Sequence, residues 1–145
     1  MDNYSEDKKK RYVTLYMDIA ERIAAMSYAK RLHVGSVLVK DDAIISYGWN
    51  GMPAGFPNDC EDWLANGEAK TKPEVLHAEA NCLAKVAKST NSSKDSILFV
   101  THSPCMECAK LIYQAGVKSV FYKYKYRSEN GLEFLKKCNI EVKQT

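Results

Sequence analysis

Apolar side chains recur at helical spacing from Asp7 to about Lys30: Tyr12, Tyr16, Ile19, Ile23 and Met26, with Ala20 and Ala24 between them. That periodicity predicts a long opening helix, its first turn solvated by the run Lys8 to Arg11. Val34–Val39 and Ala43–Trp49 are β-branched and apolar around Asp41-Asp42, the pattern of a hairpin. Asn50 to Glu74 breaks periodicity with Gly51, Pro53, Gly55 and Pro57 and reads as a long loop; loops of that length in a compact domain tend to carry function. A helix is predicted over Val75–Lys88 and a strand over Ser96–Thr101. Ser103 suits an N-cap and Pro104 the first helical position of a helix running to about Gln114, where Gly116 stops it. Val117–Tyr122 is the next strand, Ser128–Lys137 a helix, and Ile140 with Val142 mark a last short strand.

A strand–helix–strand–helix–strand second half requires right-handed crossovers and parallel pairing. With the hairpin placed at one side, the expected fold is an α/β three-layer sandwich. Its core is a five-stranded mixed sheet, antiparallel at the starting hairpin and parallel afterwards, covered by helices on both faces. The 145 residues form one expected domain, 1–145, without repeats or low-complexity segments. A formal net charge of +3 tolerates a phosphorylated substrate but lacks the concentrated basic stretch of a nucleic-acid binder. No apolar run reaches the roughly 20 residues of a membrane span, and Met1 to Arg11 has no signal-peptide core, so a cytoplasmic location is the default expectation. Five cysteines then read as thiols or metal ligands rather than a disulfide framework.

The chemistry concentrates in His77-Ala78-Glu79 and Pro104-Cys105-Met106-Glu107-Cys108. Cys105 and Cys108 lie one helical turn apart and can address one ion; His77 adds an imidazole. One His and two thiolates give three ligands and leave a tetrahedral zinc one position for water, while Glu79 remains unligated to move protons. H-x-E with P-C-x-x-C is the signature of zinc nucleobase deaminases. A C-x-x-C pair after a strand at a helix start also fits a thioredoxin-like redox pair, so a non-catalytic zinc or thiol module is the competing reading. Cys60, Cys82 and Cys138 read as structural thiols. His33 and His102 have no partner at ligand spacing.

From Val34 onward the chain resembles the deoxycytidylate (dCMP) deaminases of the cytidine deaminase superfamily. The resemblance rests on Val34-Gly35-Ser36-Val37, Gly48-Trp49-Asn50-Gly51-Met52-Pro53-Ala54-Gly55, His77-Ala78-Glu79-Ala80-Asn81, Ser103 to Lys110 and Gln114-Ala115-Gly116-Val117. It implies hydrolytic deamination of dCMP to dUMP for dTTP synthesis, with a free nucleoside or a base in RNA as alternative substrates. One zinc per chain is implied on His77, Cys105 and Cys108, with Glu79 as proton shuttle. By the same resemblance Asn50 meets the sugar hydroxyl and base, Tyr126 flanks base and phosphate, and Ser27, Lys30 and Arg31 are candidates for the 5′-phosphate. Lys30 and Arg31 equally suit plain solvation of a helix C-terminus.

The branch further implies a hexamer activated by dCTP and inhibited by dTTP. Its effector residues would be Gly51, Met52, Pro53, Ala54, Gly55, Phe56, Asn58 and Asp59, with Lys85 and Lys88 reaching towards the ligand and Mg²⁺ accompanying the triphosphate. A rigid turn-rich lid is the plainer reading of that loop. The His-rich insertion with which some members bind a second zinc has no counterpart here.

Overall fold

Alternation along the strands sorts the sheet's apolar residues onto two faces. The computed structural model describes residues 1–145 as α1 (Glu6–Ala24), β1 (Gly35–Lys40), β2 (Ala43–Trp49), β3 (Glu61–Trp63), β4 (Ala69–Thr71), α2 (Ala78–Ala87), β5 (Ile97–His102), α3 (Met106–Gln114), β6 (Ser119–Tyr124), α4 (Asn130–Lys137) and β7 (Glu141–Gln144). Val37, Val39, Ile97, Phe99 and Phe121 project to one side and pack under Tyr16, Met17 and Ala20 of α1. Leu38, Leu98, Val100, Val120 and Tyr122 project to the other, against Cys82 and Val86 of α2, Ala109 and Ile112 of α3, and Leu132 and Leu135 of α4. Period-two alternation thus produces the three layers directly. Fully burying each such Leu, Val or Phe contributes about 1.5–3 kcal/mol.

The five strands run in the order β2-β1-β5-β6-β7. β1 is antiparallel to both β2 and β5, whereas β5, β6 and β7 are mutually parallel. The expected mixed sheet is therefore present, with the hairpin joined to the parallel part through its first strand. Asp41 (φ 51°) and Asp42 (φ 61°) are both left-handed, the conformation of a two-residue primed turn that matches strand twist.

Several boundaries depart from the sequence expectation. α1 stops at Ala24 rather than near Lys30: Met26 N–H bonds to the Ile23 carbonyl at 2.9 Å and Ser27 N–H to that of Ala24 at 3.1 Å, tightening the end into a turn. Gly35 packs against this last turn: a Cβ there would overlap the Ala20 carbonyl oxygen, so β1 enters the sheet in direct backbone contact with the helix. α2 begins at Ala78, not Val75, since Leu76 exchanges backbone bonds with Gly51 (3.1 and 2.8 Å). The segment expected to be irregular contains the β3–β4 hairpin, closed around Gly67 (φ 85°) by Leu64 N–H to the Glu68 carbonyl at 2.8 Å. No helix is long and apolar enough to cross a membrane.

Candidate active site

α2 and α3 start at the same place, and the residue that opens each is a ligand candidate. His77 is the N-cap of α2 (φ −71°, ψ 156°) and Cys105 the N-cap of α3 (φ −72°, ψ 172°), and neither side chain caps its own helix. Taking no part in capping, both side chains are free to meet between the two N-termini. Pro104 accordingly precedes the helix instead of opening it, and the Ser103 hydroxyl is committed elsewhere. Cys108 sits in the first turn of α3, buried.

His77 Nδ1 lies 3.5 Å from Cys105 Sγ and 3.4 Å from Cys108 Sγ, and the three donor atoms lie within 4.8 Å of one another. A tetrahedral zinc with Zn–N near 2.0–2.1 Å and Zn–S near 2.3 Å places N and S about 3.6 Å apart. The donor set fits that ion in both chemistry and spacing. Among the protein groups alone, hydrogen bonds from Cys108 and then His77 push the Cys105 thiol down to about 3. Cys108, bonded to that thiolate and buried, is pushed up, and His77 is raised by its bond to Cys105. The positive ends of two helices add to the preference for thiolate.

Glu79 is 4% exposed, two residues into α2 from His77, and burial pushes its carboxyl up to about 7. A carboxyl poised there can both take and return a proton near neutral pH.

The site opens into a cleft of about 480 Å³. Its wall includes His77, Glu79 and Cys105 together with Asn50, Arg31 and Tyr126. The Asn50 amide accepts from Val34 N–H and donates to the Leu32 carbonyl, both at 2.8 Å, which pins the α1–β1 connection. One N–H and one lone pair of that amide remain for a ligand. Arg31 donates to Thr71 Oγ1 at 3.3 Å. Ser27 and Lys30 do not line the cleft. The Ser27 hydroxyl donates to the Asn50 carbonyl at 2.7 Å and accepts from Ala29 N–H, while the Lys30 side chain is exposed and its backbone N–H bonds to the Glu61 carboxylate.

The structure does not bring the expected effector residues to this cleft. Gly51 is held against Leu76; Met52 and Pro53 follow, and Ala54, Gly55, Phe56, Asn58 and Asp59 run along the surface. Lys85 lies over the rings of Tyr47 (4.1 Å) and Trp49 (5.1 Å), and Lys88 is the exposed C-cap of α2.

Residues without an expected role also line the cleft. Glu61, Lys70 and Thr71 come from the β3–β4 hairpin, and Arg127, Ser128 and Asn130 from the turn into α4. His102, at the end of β5, completes that wall. The sequence signal for this turn is Lys125-Tyr126-Arg127, cationic residues on either side of the aromatic expected beside the base.

The sequence profile of the cytidine and deoxycytidylate deaminase zinc-binding region matches residues 10–124. ComE operon protein 2 of Bacillus subtilis is 31% identical over 130 residues, covering 89% of this chain and 68% of that protein. Human deoxycytidylate deaminase is 38% identical over 111 residues, 74% of this chain; the match spans only 61% of the human protein's length. Among solved structures, dCMP deaminase from the cyanophage S-TIM5 in complex with dCMP and dUMP superposes with a TM-score of 0.86 at 44% identity, over 99% of this chain and 100% of that one. The chain belongs to the cytidine and deoxycytidylate deaminase family, and its fold is that family's fold.

Proposed function

We propose that this chain is a zinc-dependent aminohydrolase that converts dCMP and water to dUMP and ammonia. The observation that carries the reading is the meeting of His77, Cys105 and Cys108 beside buried Glu79, in a cleft that also holds Asn50 and two guanidinium groups. The cyanophage enzyme of 44% identity, solved with dCMP and dUMP, supports the monophosphate as substrate.

His77, Cys105 and Cys108 would hold the ion, which when bound supplies Lewis-acid polarisation of a water molecule. Glu79 takes a proton from the attacking water and delivers it to the ring nitrogen next to the amidine carbon. The water oxygen bonds to that carbon, and Glu79 then moves a proton to the amine, which leaves as ammonia. Asn50 offers its remaining donor and acceptor to sugar hydroxyl and base. Tyr126 flanks the base, and Arg31, the one cleft-lining residue of the three expected at the phosphate, contributes charge.

The single-domain organisation, hexameric assembly and control by dCTP and dTTP are part of the same proposal, with Mg²⁺ carried by the triphosphate. The effector would then occupy the run Gly51–Asp59, exposed from Ala54 onward and away from the substrate cleft, with Lys88 exposed at the end of α2 and Lys85 already stacked on Tyr47 and Trp49. A cytoplasmic enzyme of nucleotide synthesis is the setting that suits this substrate.

Ammonia release from dCMP, deoxycytidine, cytidine and a tRNA stem-loop tests the reading. Preference for dCMP is expected; equal rates on the free nucleoside, or activity on RNA alone, would replace it. A dCMP saturation curve that turns from sigmoidal to hyperbolic with dCTP is expected of the effector proposal.

A further inference from the structure

His102 has no role in the chemistry above, yet its surroundings fix both its orientation and its proton. Thr101, 1% exposed, carries the hydroxyl that links it to the sheet. Thr101 Oγ1 accepts the Gly35 N–H at 3.1 Å and lies 2.8 Å from His102 Nδ1. With the Gly35 N–H taken up by a lone pair, the buried hydroxyl proton needs an acceptor, and His102 Nδ1 is the one within reach. Nδ1 therefore accepts, and the ring proton sits on Nε2.

The ring is also clamped by aromatics. Tyr124 lies at 5.1 Å between centroids and Tyr126 meets it edge-on at 6.0 Å. Burial lowers the pKa of His102, against a smaller opposing pull from Glu21. Glu21 is itself held by Lys123 at 2.8 Å and by the Tyr124 hydroxyl at 3.1 Å. Burial thus favours the neutral imidazole. No protein group bonds to Nε2, no buried side-chain nitrogen or oxygen in the molecule lacks a partner, and His102 lines the cleft, so its Nε2–H is left free for a ligand.

The wall it shares is rich in donors. Arg127 stacks on the Tyr126 ring at 5.0 Å, and Ser128 and Asn130 stand at the start of α4. Arg127 adopts φ 52°, a left-handed conformation that a non-glycine residue takes at some cost and that functional sites retain. The nearby Glu129 does not line the cleft and is paired with Lys125 at 3.1 Å. The cleft's other carboxylate apart from Glu79, that of Glu61, belongs to the hairpin wall. An anion is favoured beside His102, and the end of the substrate away from the reacting carbon is its phosphate.

We propose that His102 is a substrate-binding residue whose Nε2–H, held in that tautomer by the Thr101 hydroxyl, donates to a phosphate oxygen of a pyrimidine nucleoside monophosphate. Thr101 is the positioning residue behind it. The inference rests on the monophosphate reading above and adds to it a neutral, directional donor that a free nucleoside cannot use. A neutral imidazole adds no desolvated charge to the empty site.

Long-range ¹H–¹⁵N spectra of the zinc-loaded protein, titrated separately with dCMP, deoxycytidine and inorganic phosphate, read the ring directly. The expected result is an Nε2–H tautomer at neutral pH whose Nε2 resonance moves with dCMP and with phosphate, and not with deoxycytidine. His102→Phe should raise KM for dCMP about 10- to 100-fold with kcat little changed, the range for a hydrogen bond to a charged group. His102→Gln, whose amide N–H reaches the Nε2 position, should recover part of that loss, and Thr101→Val should release the tautomer. If His102→Phe does not fold, the spectra and the Gln variant decide. An Nδ1–H tautomer, an equal shift with deoxycytidine, or wild-type KM in the Phe variant would overturn the inference. Absence of any turnover of dCMP by the wild type would overturn the functional reading instead, while the titration spectra still judge His102.

Discussion

Ser103 and Tyr126 are joined backbone to side chain: Ser103 Oγ accepts the Tyr126 N–H at 2.9 Å and donates to the Tyr126 carbonyl at 3.5 Å. Ser103 is buried and stands two residues before Cys105, so the turn bearing Tyr126 and Arg127 is referenced to the same segment that carries the metal ligands. This explains why the hydroxyl does not cap α3. Ser103→Ala leaves a backbone N–H unpaired, which costs about 1–3 kcal/mol of stability. Zinc content should match wild type while KM for dCMP rises, as measured by metal analysis and steady-state kinetics; loss of zinc with unchanged KM would count against the coupling.

Glu79 is placed to move protons and not to hold metal. Glu79→Gln preserves shape and leaves the three donor atoms untouched. It should retain zinc while losing turnover by at least about 10²–10⁴-fold, the usual share of general acid–base catalysis. His77→Ala and Cys105→Ser should instead lose the ion. Elemental analysis beside an ammonia assay separates the two classes of variant. A Glu79→Gln protein that sheds its zinc would reassign the carboxylate as a ligand.

The same carboxyl predicts a pH dependence after zinc is chelated. Burial raises it from 4.5 to about 7 in the folded chain. Below pH 4.5 both states keep the proton and the full contribution is present. Between 4.5 and 7 the unfolded chain ionises while the folded one resists, so stability falls, by about 3 kcal/mol over the window. Thermal unfolding of chelated wild type and Glu79→Gln at pH 5 and pH 7.5 checks this. Wild type should lose stability relative to Gln as pH rises, and a reloaded divalent cation should reduce the difference.

The sheet was legible because its strands alternate cleanly: Val37, Leu38, Val39 and Ile97 to Val100 carry the two faces in their own order. The metal centre was legible because its ligands lie in two short motifs that each open a helix. The β3–β4 hairpin was not, since Glu61-Asp62-Trp63 and Ala69-Lys70-Thr71 have no apolar face to reveal a strand. Asn66-Gly67 was a turn signal, but the flanking alternation that gives such a pair its meaning is missing. That omission hid Glu61, Lys70 and Thr71 from the cleft. Helix ends were missed for a related reason. α1 ends at Ala24 where Met26 and Ser27 close a tight turn, a change of backbone that apolar spacing running on to Met26 does not register.

Gly131 carries a tertiary demand comparable to that of Gly35, at the other side of the site. A Cβ there would overlap the Pro104 carbonyl oxygen and come within 2.9 Å of the Cys105 carbonyl, so the first turn of α4 packs against the backbone that presents Cys105. Backbone on both sides leaves nothing flexible to yield. Gly131→Ala should cost at least about 1–3 kcal/mol from overpacking and displace the Arg127–Asn130 wall from the metal ligands. Denaturant unfolding and the KM for dCMP should both worsen, whereas an alanine at solvent-facing Gly67 should alter stability but not KM. Equal effects of the two on KM would remove the argument that α4 is registered on the zinc segment.

The two cysteines of the centre are unequal before metal binds, and that inequality is measurable. Cys105 is exposed and pushed down to about 3 by Cys108 and His77, whereas Cys108 is buried and pushed up. Thiolate, not thiol, is the nucleophile towards alkylating agents. After chelation, brief iodoacetamide treatment at pH 6 should modify Cys105 ahead of Cys108 and of buried Cys60 and Cys82, which desolvation raises. Zinc added first should protect Cys105, and its uptake should release the Cys108 proton, so apparent affinity for zinc falls as pH drops. Peptide mapping by mass spectrometry and proton release in weak buffer check the two halves. Equal labelling of Cys105 and Cys60, or labelling of Cys105 undiminished by zinc, would mean that the imidazole and the two sulfurs do not act as one centre.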